Sequence, residues 1–373
     1  MDCLTQHRSA RRPVAPARAD DWAGWIAYGL AWAALAPPAP ATATSGSRRL
    51  TFVGYREEVP GPRWQALFRA TWPAYRAWYL SQGWSALPTL AEAEAALRTH
   101  MPELHDTWLS LASLSGSDPV AARMLTMWRM PLFATGCSQV VRAEPEPLLI
   151  RNYDYDPQLF EGVAASTNYS GSRRVLGTSD MLWGLLDGMN DAGLAVSLTY
   201  GGRPTGSDAA PGFAIPLVVR YLLETCSDVA EAARTLRRLP VAQSYNVALV
   251  DAGGAHASVF VAPGCDAIVS DLAVTTNHRL QTVEHPEVAG PLASRERQRL
   301  LQNHLAADSA DLVTTFLRAP VRSTDYAGGF GTLYTAQYRP AAGTLTYHWP
   351  DATWSRGFED GEGQIETWVS QGR

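Results

Sequence analysis

A glycine followed by a cysteine, Gly136-Cys137, stands where helical texture gives way to strands, and Ser138-Gln139-Val140-Val141 opens the first of them. Glycine has no Cβ, so its carbonyl is open to attack and its backbone tolerates strained angles. Attack by the cysteine on the bond before it would release Cys137 as a new amino terminus. The dipeptide alone also describes a small buried hydrophobe entering a strand. Arg151 and Asp154 follow Cys137 by 14 and 17 residues, a separation that suits a tight turn and a neighbouring strand returning both side chains beside the sulfur. A guanidinium there lowers a thiol's pKa, and a carboxylate can hold a terminal ammonium. The same two residues also read as a structural ion pair.

Composition removes several other chemistries. Each of the 31 Lys+Arg residues of the 373-residue chain is arginine, so a Walker A lysine, a lysine Schiff base and a Ser-Lys dyad are excluded together. The Ala and Arg excess points to a GC-rich bacterial genome. A net charge of -5 lacks the cations that neutralise a phosphate backbone, so nucleic acid is not expected as a partner. Four cysteines (Cys3, Cys137, Cys226, Cys265) form no CxxC pair, and the eight histidines include no HExxH, so neither a disulfide scaffold nor a zinc site is expected. GxSxG is absent, against a serine hydrolase of the α/β type.

The elements that must position these residues change character along the chain. Residues 1–50 carry Arg8, Arg11, Arg12 and Arg18 before an apolar run from Trp22 to Ala36 and Ala41-Thr42-Ala43. They read as a disordered arm or wrong start, giving a cytoplasmic protein, or as a signal over residues 1–43, giving an exported one. The run is short for a membrane span. Pro62 to Gln82 spaces Trp64, Leu67, Phe68, Trp72, Tyr75, Trp78 and Tyr79 as an amphipathic helix, with Pro73 expected to kink or split it. Helices are expected at Thr89 to His100, with Thr89 and Glu92 as a capping box, and at Pro119 to Trp128. Beyond Met130, strands are expected at Leu148 to Tyr155, Met181 to Met189 and Leu194 to Tyr200, the last two joined by the turn Asn190-Asp191-Ala192-Gly193. Helices follow at Ile215 to Thr225 and Asp228 to Leu239, then strands at Tyr245 to Asp251, Ala257 to Val261 and Ile268 to Thr276. Helices at Arg295 to Leu305 and Ala310 to Leu317 precede a hairpin of Thr332 to Tyr338 with Thr344 to Trp349. Sheets and helices in separate blocks give α+β layers, not a doubly wound parallel sheet.

Four segments in order, Gly136-Cys137, Arg151-Asn152-Tyr153-Asp154, Asp187-Gly188-Met189-Asn190-Asp191-Ala192-Gly193-Leu194-Ala195 and Thr275-Thr276-Asn277-His278, resemble the N-terminal-nucleophile hydrolases of the choloylglycine hydrolase, acid ceramidase and acyl-coenzyme A:6-aminopenicillanic acid acyltransferase group. The chain is most similar to the acyltransferase-like bacterial branch, over about residues 51–361. The resemblance implies a four-layer αββα sandwich made as an inactive precursor: an arm at 1–50, a helical pro-region or small chain at 51–136 and a catalytic chain at 137–373. It implies cleavage between Gly136 and Cys137, Cys137 as nucleophile, its freed α-amine as proton acceptor, Asp154 orienting that amine, Arg151 beside the thiol and Asn277 donating to the oxyanion. An α-amine titrates at about 8 and can serve as base without a histidine. In bile-salt hydrolases the second oxyanion donor is an Asn in Leu-Asn-Tyr-Pro-Gly. Here the stretch is Leu198-Thr199-Tyr200-Gly201-Gly202, which leaves a main-chain N–H of Thr199 or Tyr200 for that role and argues against bile-salt specificity.

The implied substrate is a small-molecule linear amide or acyl donor, hydrolysed or used for acyl transfer through a Cys137 thioester, with an apolar acyl group suggested by the many aromatic residues. No metal or organic cofactor is implied, the two chains are expected to stay associated, and a homo-oligomer is left open. The competing reading is a non-cleaving small-molecule-binding protein on the same fold, in which the Gly136–Cys137 bond stays intact. Among other candidates, Asn246 at a strand start reads as a loop-closing Asn or as one that hydrogen-bonds near the pocket, His278 as structural or substrate-contacting, and Arg295 and Arg297 as a solvated helix face or an acid-binding pair. Asp187 and Asn190 read as hairpin stabilisers, Cys226 and Cys265 as buried core, and Trp349 and Trp354 as packing.

Overall fold

The computed structural model describes residues 47–370 apart from 132, 134, 203–210, 281–292, 308–310 and 327. Most of the expected arm or export signal, with Cys3, lies outside the described residues. The chain opens with β1 (Ser47–Glu57), then α1 (Pro62–Tyr79), α2 (Leu90–His100), α3 (His105–Leu114) and α4 (Pro119–Leu125). Strands β2 (Gly136–Arg142), β3 (Leu148–Tyr155), β4 (Val163–Thr167), β5 (Val175–Asp180), β6 (Gly184–Asn190) and β7 (Leu194–Tyr200) follow. Next come α5 (Ile215–Thr225), α6 (Val229–Leu236), β8 (Tyr245–Asp251), β9 (His256–Ala262), β10 (Cys265–Ser270) and β11 (Val274–Thr275). The chain ends with α7 (Ser294–Ala306), α8 (Leu312–Phe316), β12 (Gly331–Arg339), β13 (Thr344–His348), β14 (Thr353–Gly357) and β15 (Gly363–Ser370).

Two sheets stack face to face. One has nine strands in the order β10-β9-β8-β7-β6-β5-β4-β1-β15, the other six in the order β11-β2-β3-β12-β13-β14. Strands β2 and β3 pack on β7 and β8, which buries Cys137, Val141, Leu149, Tyr153, Leu186, Met189, Ala195 and Ala248 between the sheets. Helices α5 and α6 cover the outer face of the larger sheet, and α7 and α8 that of the smaller one. The layers are therefore α, β, β, α. Strands β4 (VAAST) and β5 (VLGTSD) are buried along their whole length, so they show no alternation of apolar and polar residues and escape a reading based on period.

Local chemistry explains the ends of the elements. Thr89 accepts from the Glu92 N–H while Glu92 reaches back to the Thr89 N–H, the capping box read from the sequence. Glu57 accepts from the N–H groups of Arg63 and Trp64 at 2.9 and 3.2 Å, placing a carboxylate at the positive end of α1. Helix α1 is continuous through Pro73 and is not split there. The turn between β6 and β7 needs Gly193, whose φ is 89°, and Asn190 Oδ1 accepts from the N–H groups of Ala192 and Leu194. The run expected as one strand from Ile268 to Thr276 is two short strands in different sheets, β10 at an edge of the larger and β11 at an edge of the smaller. That crossing delivers Asn277 to the first residues of β2.

The segment before Gly136 is more than helical. Its strand β1 is inserted in the nine-stranded sheet, antiparallel to β15 and parallel to β4. Two ladders therefore tie the chain on the amino-terminal side of Gly136 to the chain on the other side.

Candidate active site around Cys137

In the antiparallel β2–β3 ladder, Gly136 pairs with Asp154, Cys137 with Tyr153 and Gln139 with Arg151. Paired residues and those two apart share a face, so Cys137, Gln139, Tyr153 and Arg151 point between the sheets. The Cys137 sulfur is fully buried, 3.2 Å from Arg151 Nη2 and 3.4 Å from Thr135 Oγ1. Arg151 Nη1 donates to the Leu186 carbonyl at 2.8 Å and to Asp187 Oδ2 at 3.0 Å. Both acceptors come from the register shift between β5 and β6, where a bulge turns two adjacent residues toward one cation. Asp187 also accepts from Thr178 and from the hydroxyls of Tyr334 and Tyr338. Asp187 is thus the counter-charge of Arg151 across the sandwich, not a hairpin brace. Asn190 does hold the hairpin, and ties it to α5 through the carbonyls of Leu223 and Cys226.

Asp154 and Ser138 lie on the other face of β2–β3, under α7. Asp154 Oδ1 accepts from Thr332 at 2.6 Å, and Oδ2 lies 3.7 Å from Arg297 Nη1. Of the two residues expected beside the sulfur, only Arg151 touches it; Asp154 pairs with Gly136 from the opposite side. Arg297 is 3 % exposed, so it is not on a solvated helix face. Its Nη1 donates to the Cys137 carbonyl at 2.7 Å and to Ser138 Oγ at 2.6 Å, and its Nη2 to Asn277 Oδ1 at 2.7 Å. Arg295, two residues earlier, is exposed.

Asn277 spans the Gly136–Cys137 bond. Its Oδ1 accepts from the Cys137 N–H at 2.9 Å, and its Nδ2 donates to the carbonyls of Thr135 and Tyr200, each at 3.1 Å. Thr199 turns its hydroxyl to the Thr276 carbonyl at 2.7 Å. Tyr200 meets Asn277 through its carbonyl and Thr199 meets the Asn277 loop through its hydroxyl. His278 Nδ1 lies 2.8 Å from Ser294 Oγ. Asn246 lies within β8, and its side chain reaches across to the loop that carries Asn277. Gln139 bridges the sheets, accepting from Ser197 Oγ and donating to Thr275 Oγ1 and to the Asn246 carbonyl. Cys226 is buried, but Cys265 is exposed on the edge strand β10. Trp349 and Trp354 pack against Tyr347.

The electrostatics follow from burial. Burial pushes the Cys137 thiol above its ordinary value, with Arg151 pulling the other way and Asp154 adding to the rise. Burial opposes the charge on Arg151, yet Tyr334, Cys137, Asp187 and Tyr153 around it outweigh that and raise its pKa. Burial also raises the Asp154 carboxyl, countered by Arg297, and lowers Arg297, countered by Asp154. In the intact chain the thiol is protonated and held beside a fixed cation, so a proton acceptor is what the arrangement needs to become nucleophilic.

A second acidic cluster joins the helical segment to the sandwich. Glu161 accepts from Tyr75 of α1 at 2.7 Å, from the Leu182 N–H at 2.7 Å and from Ser179 at 2.8 Å. Asp180 lies beside it, its carboxyl raised well above the usual range by burial and then by Glu161. A carboxyl with a raised folded-state pKa binds more protons folded than unfolded, so its contribution is present at low pH and lost as pH rises through the folded value. Resistance to urea is therefore expected to be greatest on the acid side and to fall as pH rises through that raised value, and Asp180→Asn to flatten that fall. Parallel urea midpoints for the two proteins would contradict it.

Comparison with known proteins follows from this geometry. The family model described as acyl-coenzyme A:6-aminopenicillanic acid acyl-transferase matches residues 141–354, more than half of the chain. No curated protein matches. Among solved structures, conjugated bile acid hydrolase from Clostridium perfringens is 14% identical, with 62% of this chain and 96% of that chain covered and a TM-score of 0.39. The Caenorhabditis elegans ortholog of N-acylethanolamine-hydrolyzing acid amidase is 16% identical, covering 59% of this chain and 99% of that chain, with a TM-score of 0.40. Penicillin V acylase from Agrobacterium tumefaciens is 15% identical, covering 60% of this chain and 77% of that chain, with a TM-score of 0.33.

Proposed function

The chain belongs to the acyl-coenzyme A:6-aminopenicillanic acid acyl-transferase family, within the N-terminal-nucleophile hydrolases that act on amides or transfer acyl groups, and we propose that it is a self-processing cysteine enzyme of linear, non-peptide amides. The observation that carries this reading is the Asn277 amide, which holds the Cys137 N–H at one end and the Thr135 carbonyl at the other, with the sulfur 3.2 Å from Arg151. The Asn277 amide thus holds the scissile nitrogen, while Arg151 meets the thiol and Arg297 the Cys137 carbonyl.

In the maturation step the Cys137 sulfur attacks the Gly136 carbonyl, the C–N bond breaks as the Cys137 nitrogen takes up the thiol's proton, and a thioester forms. Water then attacks the thioester, giving the Gly136 carboxylate, with one of its protons passing to sulfur and the other to the freed α-amine or solvent. The freed α-amine supplies the missing base: it takes the thiol proton, and the thiolate attacks the substrate carbonyl. Departure of Thr135 frees an Nδ2–H of Asn277 for the oxyanion, while Arg151 steadies the thiolate. The amine product leaves with the proton from the α-ammonium, and water or an acceptor amine resolves the acyl-enzyme. Arg297 fixes the Cys137 carbonyl, and the pairing of Asp154 with Gly136 supports its carboxylate as the group that holds the new ammonium. Tyr153, paired with Cys137 across the ladder and buried with it between the sheets, favours an apolar acyl group. The β1 ladders to β4 and β15 support continued association of the two chains after the cut.

Exposure of the purified protein to a panel of N-acyl amides, followed by acid quench and peptide mass analysis, tests the reaction. The peptide beginning at Cys137 is expected to gain the acyl mass. Turnover with no adduct there, or an adduct on Cys226 or Cys265 instead, would overturn the assignment.

A further inference from the structure

Asn246, in β8, spans the loop that carries Asn277. Its Nδ2 donates to the carbonyls of Thr276 at 2.8 Å and His278 at 3.0 Å, the residues on either side of Asn277, and lies 3.2 Å from Thr199 Oγ1. From the other side Ser294 Oγ accepts the Asn277 N–H at 2.8 Å and lies 2.9 Å from Thr276 Oγ1. The Thr276–Asn277 and His278–Arg279 peptide groups are thereby held by side chains from β8 and α7. The Asn246 Oδ1 is buried with no hydrogen-bond partner among the described residues. An orphaned buried acceptor costs stability, so the side chain is kept here for its two N–H donors and not for packing.

We propose that Asn246 is a positioning residue for acyl transfer, fixing the peptide planes that flank Asn277 so that its amide stays in line with the carbonyl attacked by Cys137. The inference rests on the reading above, in which Asn277 stabilises the oxyanion. It extends that reading to a residue that touches neither the sulfur nor the scissile bond.

Two reactions of the same sulfur separate this role from a general structural one. Self-cleavage breaks the C–N bond whose Cys137 N–H is held by Asn277 Oδ1, whereas alkylation of Cys137 by iodoacetamide breaks no bond that Asn277 holds. Both initial rates are measured on freshly refolded full-length chain, with alkylation read on the peptide containing Cys137. In Asn246→Ala, cleavage is expected to slow about 10²-fold, the cost of about 1 Å of misplacement, while alkylation keeps the wild-type rate. Asn246→Asp adds a pH signature. Its ionised carboxylate faces two carbonyls and is repelled, but when protonated it donates one O–H, so cleavage is expected to recover relative to wild type as pH falls toward 5. If Asn246→Ala fails to fold, circular dichroism of the Asp variant at each pH shows whether recovery is of geometry or of folding. Equal slowing of both reactions, or an Ala variant that cleaves at the wild-type rate, would overturn the positioning role alone. A wild-type chain that is alkylated but never cleaves would overturn the parent reading and this one with it.

Discussion

A chain carrying Cys137→Ala is expected to stay whole and to turn over no amide, while keeping its fold. The sulfur belongs to the residue that follows the Gly136 carbonyl and lies 3.2 Å from Arg151, so its removal is expected to eliminate both reactions. The structural cost is small by comparison. Arg151 loses one contact but keeps the Leu186 carbonyl and Asp187, and the vacated volume is one buried sulfur, worth about 1 kcal/mol. Denaturant midpoints for the variant and its parent should therefore lie close together, with mass spectrometry separating them completely. Cleavage in the alanine chain would require another nucleophile and would refute the role of Cys137.

Asp187→Ala is expected to have the opposite profile, with a large loss of stability before any question of chemistry arises. Asp187 is fully buried and is the acid paired with an equally buried arginine. Removing one partner of a buried pair leaves an uncompensated charge and costs about 3–5 kcal/mol. Tyr334, Tyr338 and Thr178 lose their common acceptor as well. Guanidinium unfolding of Asp187→Ala in the Cys137→Ala background, where the chain stays in one piece, measures this without interference from cleavage. A loss below about 1 kcal/mol, the size of an exposed pair, would show that Arg151 does not depend on Asp187.

How much of this was readable in the sequence differs from residue to residue. The hairpin at Asn190 to Gly193, the Thr89 and Glu92 cap and the α+β character follow from local rules, and the structure has them. Parity on a strand contains a further lesson. Arg151 and Asp154 are three apart on β3, so their side chains leave opposite faces, and an expectation that both flank the sulfur conflicts with the strand itself. Arg297 was hidden by its neighbours, since Arg295, Glu296 and Arg299 make the start of α7 look solvated. The signal was Leu301, four residues on and fully buried, which shares its helix face. Asp187 and Asn246 act through partners far along the chain, from β3 and from the loop after β11, and no spacing rule reports such pairings. Strand β1 went unseen because its partners, β4 and β15, come more than a hundred residues later.

Intact mass spectrometry of the wild-type protein under denaturing conditions, with sequencing of the amino termini, tests the central claim most directly. Scaled by residue number from 40.5 kDa, cleavage gives chains of about 15 and 26 kDa, the larger beginning at Cys137. A single 40.5 kDa chain that persists for days in the folded wild type would contradict self-processing and leave a binding protein on the same fold.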